Sequence, residues 1–159
     1  MTRTKEMLTT PEPYQPFRPL PNPDNPVLVT EKQIRAQLTL LAQDLAPIIR
    51  AQNNPILMKI ANGGLMFGND LASELRRIDP ELEFEEATIQ YRSRRGVGDK
   101  GDQRPVLDES TYPYPDVEGR NVFLLDDVID SQFTIVDAEK EARARGGKVT
   151  DVVVAVEKE

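Results

Sequence analysis

The sequence contains no cysteine and no histidine among its 159 residues. Without cysteine there is no disulfide framework and no thiol nucleophile. Without histidine the chain lacks the commonest metal ligand and the side chain that most often acts as a general base near neutral pH. Acid–base chemistry therefore falls to carboxylates, lysines, tyrosines or the substrate itself. Long apolar runs are missing too: no stretch reaches membrane-spanning length, and the first residues lack the apolar segment of a secretory signal. The expectation is a cytoplasmic protein with no membrane partner. Nor is there a cationic excess. Lys and Arg total 20 against 27 Asp and Glu, a formal charge of −7 that argues against broad nucleic-acid binding.

What remains is a globular balance of 30% charged and 38% apolar residues, on a length suited to one domain with a real core. Residues 1–26 hold seven of the 13 prolines and read as an extended, polyproline-like arm. That arm is either a tail or a strap, with Tyr14, Phe17 and Leu20 as anchors on its own domain or on a second subunit. Residues 27–159 form the domain proper. A short lead-in strand at 27–29 precedes a capping box, Thr30 with Gln33. Ile34, Leu38, Leu41, Leu45 and Ile48 then recur at helical spacing, with Pro47 placed to end or bend the last turn. Residues 56–60 read as a buried strand that passes through Ala61, Asn62, Gly63 and Gly64 into a helix that starts at Leu65 and ends near Asp79-Pro80. A third strand at 84–91, a turn-rich stretch at 106–118 and a buried strand at 122–125 follow. A helix over 134–145, stopped by Gly146-Gly147, leads to a last strand at 149–156. This alternation predicts an α/β fold: a doubly wound, mainly parallel sheet flanked by helices.

The chemistry concentrates in residues 121–134, NVFLLDDVIDSQFT. Four apolar residues run straight into Asp126 and Asp127. After Val128 and Ile129 come Asp130, the polar pair Ser131 and Gln132, and then Phe133 and Thr134 at the start of a helical pattern. In open α/β sheets ligands collect beyond the carboxyl ends of the strands. Carboxylates there suit sugar hydroxyls, and a turn into a helix N-terminus suits phosphate. On spacing alone the same residues read equally well as solvated loop acids with Asp130 as a helix cap. A Gly63-Gly64 turn by itself is more often just a tight connection. Residues 92–104, RSRRGVGDKGDQR, form a glycine-hinged basic loop carrying Arg92, Arg94, Arg95, Lys100 and Arg104. Its GVGDKG formally matches a dinucleotide fingerprint, but the DQRP that follows opens no helix. The loop either closes over a site or is simply solvated, and RNA binding is a weaker third reading.

The order Asp126-Asp127-Val128-Ile129-Asp130-Ser131-Gln132-Phe133-Thr134 resembles the phosphoribosyl-pyrophosphate (PRPP) signature of type I phosphoribosyltransferases. Every position fits except Gln132, where the family has glycine. KIANGGLMFGNDLASEL is similar to the strand-loop-helix that holds pyrophosphate in the hypoxanthine-guanine and xanthine enzymes, with Asn62 where the former usually have lysine. The resemblance implies Mg²⁺-dependent transfer of a 5-phosphoribosyl group from PRPP to a purine base, with release of pyrophosphate, in nucleotide salvage. It implies that Asp126 and Asp127 hold the ribose hydroxyls, directly or through Mg²⁺. Asp130, Ser131, Gln132, Phe133 and Thr134 would surround the 5′-phosphate, and Asp130 would also manage the proton on the base. Ala61, Asn62, Gly63 and Gly64 would take the pyrophosphate, and Lys158 would read the base. Tyr91, Arg92, Arg94 and Arg95 would belong to the mobile loop. The implied partners are PRPP, a purine base or nucleoside monophosphate, and a second copy in a homodimer or larger homo-oligomer. Enzymes of the hypoxanthine-guanine type continue past the lysine into a hood over the base. Here the arm with Tyr14 and Phe17 is the expected substitute. The alternative is a non-catalytic PRPP- or nucleotide-binding regulator on the same fold.

Overall fold

Thr30 opens the first helix as its sequence predicts. Its Oγ1 accepts the Gln33 N–H at 3.3 Å, and Gln33 Oε1 accepts the Thr30 N–H at 2.9 Å. This satisfies two of the amides that a helix start leaves without partners. Helix α1 (Glu31–Arg50) buries Leu41, Ala42, Leu45, Ala46 and Ile49 along one face. Pro47 does not end it. So close to the C-terminus the ring costs little more than one backbone bond, and the Pro47 carbonyl still accepts the Ala51 N–H at 3.2 Å. The computed structural model describes residues 30–61, 63–93, 105–129 and 133–157; the proline-rich arm and the expected strand at 27–29 lie outside them.

The chain continues as β1 (Pro55–Ala61), α2 (Gly64–Ile78), β2 (Glu85–Ser93), β3 (Pro105–Leu107), β4 (Asn121–Ile129), α3 (Phe133–Ala144) and β5 (Lys148–Glu157). Across the sheet the order is β3-β2-β1-β4-β5. β1 is parallel to both β2 and β4, and β4 is parallel to β5. β3 runs antiparallel to β2 at one edge. The fold is therefore the mainly parallel, helix-flanked sheet that the sequence predicts.

Alternation along the strands divides the core in two. Leu57, Phe123, Leu125 and Val153 face α1 and α2. Ile56, Met58, Ile60, Val122, Leu124, Val152 and Val154 pack with Ile135 and Ala138 of α3. Burying a Leu, Ile or Phe side chain contributes about 1.5–3 kcal/mol. The continuous apolar run of β4 thus anchors the acids that follow it on a rigid support.

One expectation changes. Residues 106–118 read as turns, yet Pro105–Leu107 is a strand, too short to show a period of two. It pairs Tyr91 with Leu107, Arg92 with Val106 and Ser93 with Pro105. This hairpin carries β2 beyond residue 91, so Tyr91 and Arg92 stand in a strand and not in the loop. From β1 the chain crosses to β2 on one side, then returns as β4 on the other. Strand order reverses between β1 and β4, and an open α/β sheet leaves a ligand crevice at the carboxyl ends of such a pair.

Candidate functional site at the carboxyl ends of β1 and β4

The pairing of β1 with β4 ends at Lys59 and Leu125, and β4 carries Asp126 and Asp127 past that point. Past that pair β1 ends at Ala61, Gly63 and Gly64 open α2, and Leu125 leads to Asp126 and Asp127. The two glycines let these ends meet. A Cβ at Gly63 would overlap the Asp127 carboxylate. One at Gly64 would stand 2.7 Å from the Leu125 carbonyl oxygen and 2.9 Å from the Asp126 Cα. Gly63 has ordinary helical angles, φ −70° and ψ −49°, so close approach and not backbone freedom is what requires a glycine here.

Charge is arranged to match. Helix α2 has no acidic residue in its first turn, and its N-cap Gly63 brings no side-chain acceptor. A helix N-terminus with amides left over attracts anions. Across the crevice, Asp127 presents its carboxylate to this end. Helix α3 likewise begins without an acid in its first turn, which contains the half-buried Thr134. Two helix N-termini therefore flank the end of β4, one from each side. Asp126 sits between them with its pKa pushed up to about 6. Burial is the main cause and the neighbouring Asp127 charge adds to it, while the Asp127 N–H, donated to Asp126 Oδ1 at 2.9 Å, works in the opposite sense. A half-buried carboxylate beside a second one favours either a proton or a cation.

Magnesium fits this donor set in a limited way. Among the described residues no group of three or more His, Cys, Asp or Glu is placed to hold a metal. Two adjacent carboxylates at a crevice suit an ion that keeps several waters and completes its shell with phosphate oxygens. Asp126 and Asp127 are the residues that would hold it.

The structure thus brings together Ala61, Gly63, Gly64, Asp126 and Asp127, with Thr134 at the same sheet edge. Phe133 is the first residue of α3. Asn62, Arg94, Arg95, Asp130, Ser131, Gln132 and Lys158 lie outside the described residues. Tyr91 and Arg92 face elsewhere. The Tyr91 ring packs in the α3-side core with Tyr114, and burial raises the pKa of its phenol. Arg92 pairs with Asp108 and donates to Ser110 Oγ at 3.3 Å. The sequence pattern marks Lys59 only as one residue of a buried strand; its signal is that it is the lone charge in an otherwise apolar run.

A cleft of about 560 Å³ lies at the opposite, amino edge of the sheet, lined by Arg50, Asn54, Glu81, Phe84, Glu85 and Arg120 among others. Within it Arg120 pairs with Glu85 at 2.6 Å, and Arg50 pairs with Asp79 beside it. It is remote from the acids and from both helix N-termini, and we assign it no role.

The Phosphoribosyl transferase domain family matches this chain over residues 32–159. The bifunctional protein TilS/HprT of Listeria innocua is 27% identical over 130 residues, which are 80% of this chain and 19% of that protein. The hypoxanthine-guanine phosphoribosyltransferase of Dictyostelium discoideum is 24% identical over 109 residues, 69% of this chain and 58% of that one. The chain thus spans about a fifth of the Listeria relative and under two thirds of the Dictyostelium one. Among solved structures, the hypoxanthine phosphoribosyltransferase of Trypanosoma cruzi in complex with the product IMP superposes with a TM-score of 0.64 at 22% identity, covering 93% of this chain and 75% of that one. The hypoxanthine phosphoribosyltransferase of Staphylococcus aureus gives 0.61 at 18% identity, covering 83% and 67%. At these identities the superpositions speak for the fold. Taken with the match over residues 32–159, they leave one conclusion: the chain belongs to the phosphoribosyl transferase domain family.

Proposed function

We propose that this protein transfers the 5-phosphoribosyl group of PRPP to a purine base of the hypoxanthine, guanine or xanthine type, releasing pyrophosphate, as a cytoplasmic step of nucleotide salvage. The observation that carries this reading is the meeting of Gly63 and Gly64 with Asp126 and Asp127 at the switch point between β1 and β4. A diphosphate needs amides and a helix N-terminus, a ribose needs carboxylate acceptors, and here the two lie against each other.

In this reading the bond from the sugar's anomeric carbon to pyrophosphate breaks as a base nitrogen bonds to that carbon. The reaction passes through a state with positive charge on the ring. The protein's part is to orient both partners and to place negative charge near that ring. Asp126 and Asp127 hold the 2′ and 3′ hydroxyls. The turn at residues 61–64 receives the departing diphosphate, and residues 131–134 hold the 5′-phosphate. Asp130 takes or shares the proton on the base, and Lys158 reads its exocyclic oxygen. Magnesium, when bound, supplies charge neutralisation for the diphosphate.

The test is an assay of pyrophosphate release from Mg-PRPP with a panel of purine and pyrimidine bases. Release that depends on one purine, and falls at least a hundredfold in Asp130→Asn, supports the reading. Gln132, which replaces the family's phosphate-loop glycine, favours a second reading: a PRPP- or nucleotide-binding regulator without turnover. Binding of Mg-PRPP by calorimetry with no release on any base would select it.

A further inference from the structure

β1 is buried along its whole length, and Lys59 is its only charged residue, 6% exposed. An ammonium group there is costly unless it is paired, and an apolar side chain of similar length is often neutral or stabilising in such a place. Packing alone therefore gives no reason for lysine. What lysine adds is reach. Its Nζ donates to Asn69 Oδ1 at 2.7 Å and to Glu86 Oε2 at 2.8 Å, and Arg76 holds the other Glu86 oxygen at 2.5 Å. One side chain so joins β1, α2 and β2.

The Asn69 contact has a particular position. Lys59 lies two residues before the end of β1, and Asn69 lies in the second turn of α2, the element that follows. Their hydrogen bond ties the end of β1 to the start of α2, whose amides would receive the diphosphate. The helix is shaped to admit it: a Cβ at Gly68 would collide with the Lys59 stem, standing 2.6 Å from its Cδ. On its other flank the same helix end rests on the Leu125 carbonyl through Gly64. The N-terminus of α2 is thus located on two sides, by the lysine from β1 and by the backbone of β4.

Resting on the functional reading above, we propose that Lys59 and Asn69 are positioning residues that hold the amides at the start of α2 in the geometry for a diphosphate. They act on affinity for pyrophosphate more than on stability of the fold. Calorimetry with magnesium pyrophosphate and, separately, with inosine monophosphate tests this on the full chain and on Asn69→Ala, Lys59→Met and Asn69→Asp, with thermal midpoints measured alongside. The expected result is a loss of at least tenfold in pyrophosphate affinity in Asn69→Ala and Lys59→Met. Affinity for the monophosphate should stay within twofold, and both variants should fold with midpoints within a few degrees of the parent. Asn69→Asp keeps an acceptor for Lys59 and should recover most of the loss. Unchanged pyrophosphate binding, equal losses for both ligands, or no recovery in Asn69→Asp would overturn the positioning role while leaving the site intact. A parent protein that binds neither ligand would overturn the functional reading and this one with it.

Discussion

Asp126 is held at the end of β4 against its own electrostatic preference. Its carboxyl group is partly buried and lies beside Asp127, so its pKa rises to about 6 from an ordinary value near 3.8. For an acid raised in the folded state, the native protein binds the proton more tightly than the unfolded chain does. The cost to stability is absent below pH ~3.8, grows as pH rises to ~6, and is complete above that. Asp126→Asn should therefore stabilise the ligand-free protein at pH 7.5 by roughly 1 kcal/mol, less than the whole shift converts to because the carboxylate still meets solvent. The gain should vanish at pH 3.5, and urea unfolding at the two pH values measures it. The same variant should bind Mg-PRPP more weakly. Gly64 makes the complementary case. Its alanine variant would place a Cβ 2.7 Å from the Leu125 oxygen and 2.9 Å from the Asp126 Cα, both on backbone that cannot turn aside. Gly64→Ala should cost about 1–3 kcal/mol, read from the same unfolding curves, and should move the acids away from the turn.

At the scale of elements, α2 decides the geometry of the site, and it is tied along its length. Beyond Lys59 and the close approach of Gly64, its Glu74 accepts two bonds from Arg77, at 2.8 and 2.6 Å, and the Thr39 hydroxyl of α1 at 2.5 Å. The Arg77 bonds, then that of Thr39, bring the Glu74 pKa down to about 2. The sign here is opposite to that of Asp126. A carboxylate with a depressed pKa contributes stability above the unfolded value near 4.5, and the contribution is lost as pH falls towards 2. The pair lies near the surface, so Glu74→Gln should cost only ~0.3–0.5 kcal/mol at pH 7. No difference should remain near pH 2, and chemical unfolding of both proteins at the two pH values checks this. Elsewhere Arg50 pairs with Asp79 where α1 and α2 end, so the two helices are held together at the edge remote from the site. The site edge is governed by the sheet.

For the whole molecule, the sheet and its flanking helices create a rigid crevice, and a ligand that enters it links binding to stability. If the crevice receives a nucleotide, inosine monophosphate at a hundred times its Kd should add about 2.7 kcal/mol to the folding free energy. For a domain of this size that raises the thermal midpoint by several degrees. A thermal scan with and without the nucleotide tests this, and the shift should disappear in a variant that combines Asp127→Ala with Thr134→Ala. Among the described residues no helix is long and apolar enough to cross a membrane.

Much of this was legible in the amino-acid order, because it depends on local rules. Thr30 and Gln33 announce a capped helix start by their spacing, and Gly146-Gly147 announces the end of α3. The apolar run at 122–125, and the run at 56–60 interrupted by Lys59 alone, announce strands covered on both faces. The acids after the second run stand in an order specific enough to name a family. Three features depend on neighbours far away in the chain. Pro105–Leu107 becomes a strand because Tyr91, Arg92 and Ser93 offer an open edge, which takes Tyr91 and Arg92 out of the mobile loop where the family resemblance puts them. The glycines at 63 and 64 look like hinges, but they are required because Asp127 and the Leu125 carbonyl arrive from β4 to fill the space a side chain would need. Lys59 looks like a misplaced charge until Asn69 and Glu86 close around its ammonium group. Periodicity, capping and turn chemistry act within a few residues and can be read along the chain, whereas close approach and buried pairing come into being only when the sheet assembles.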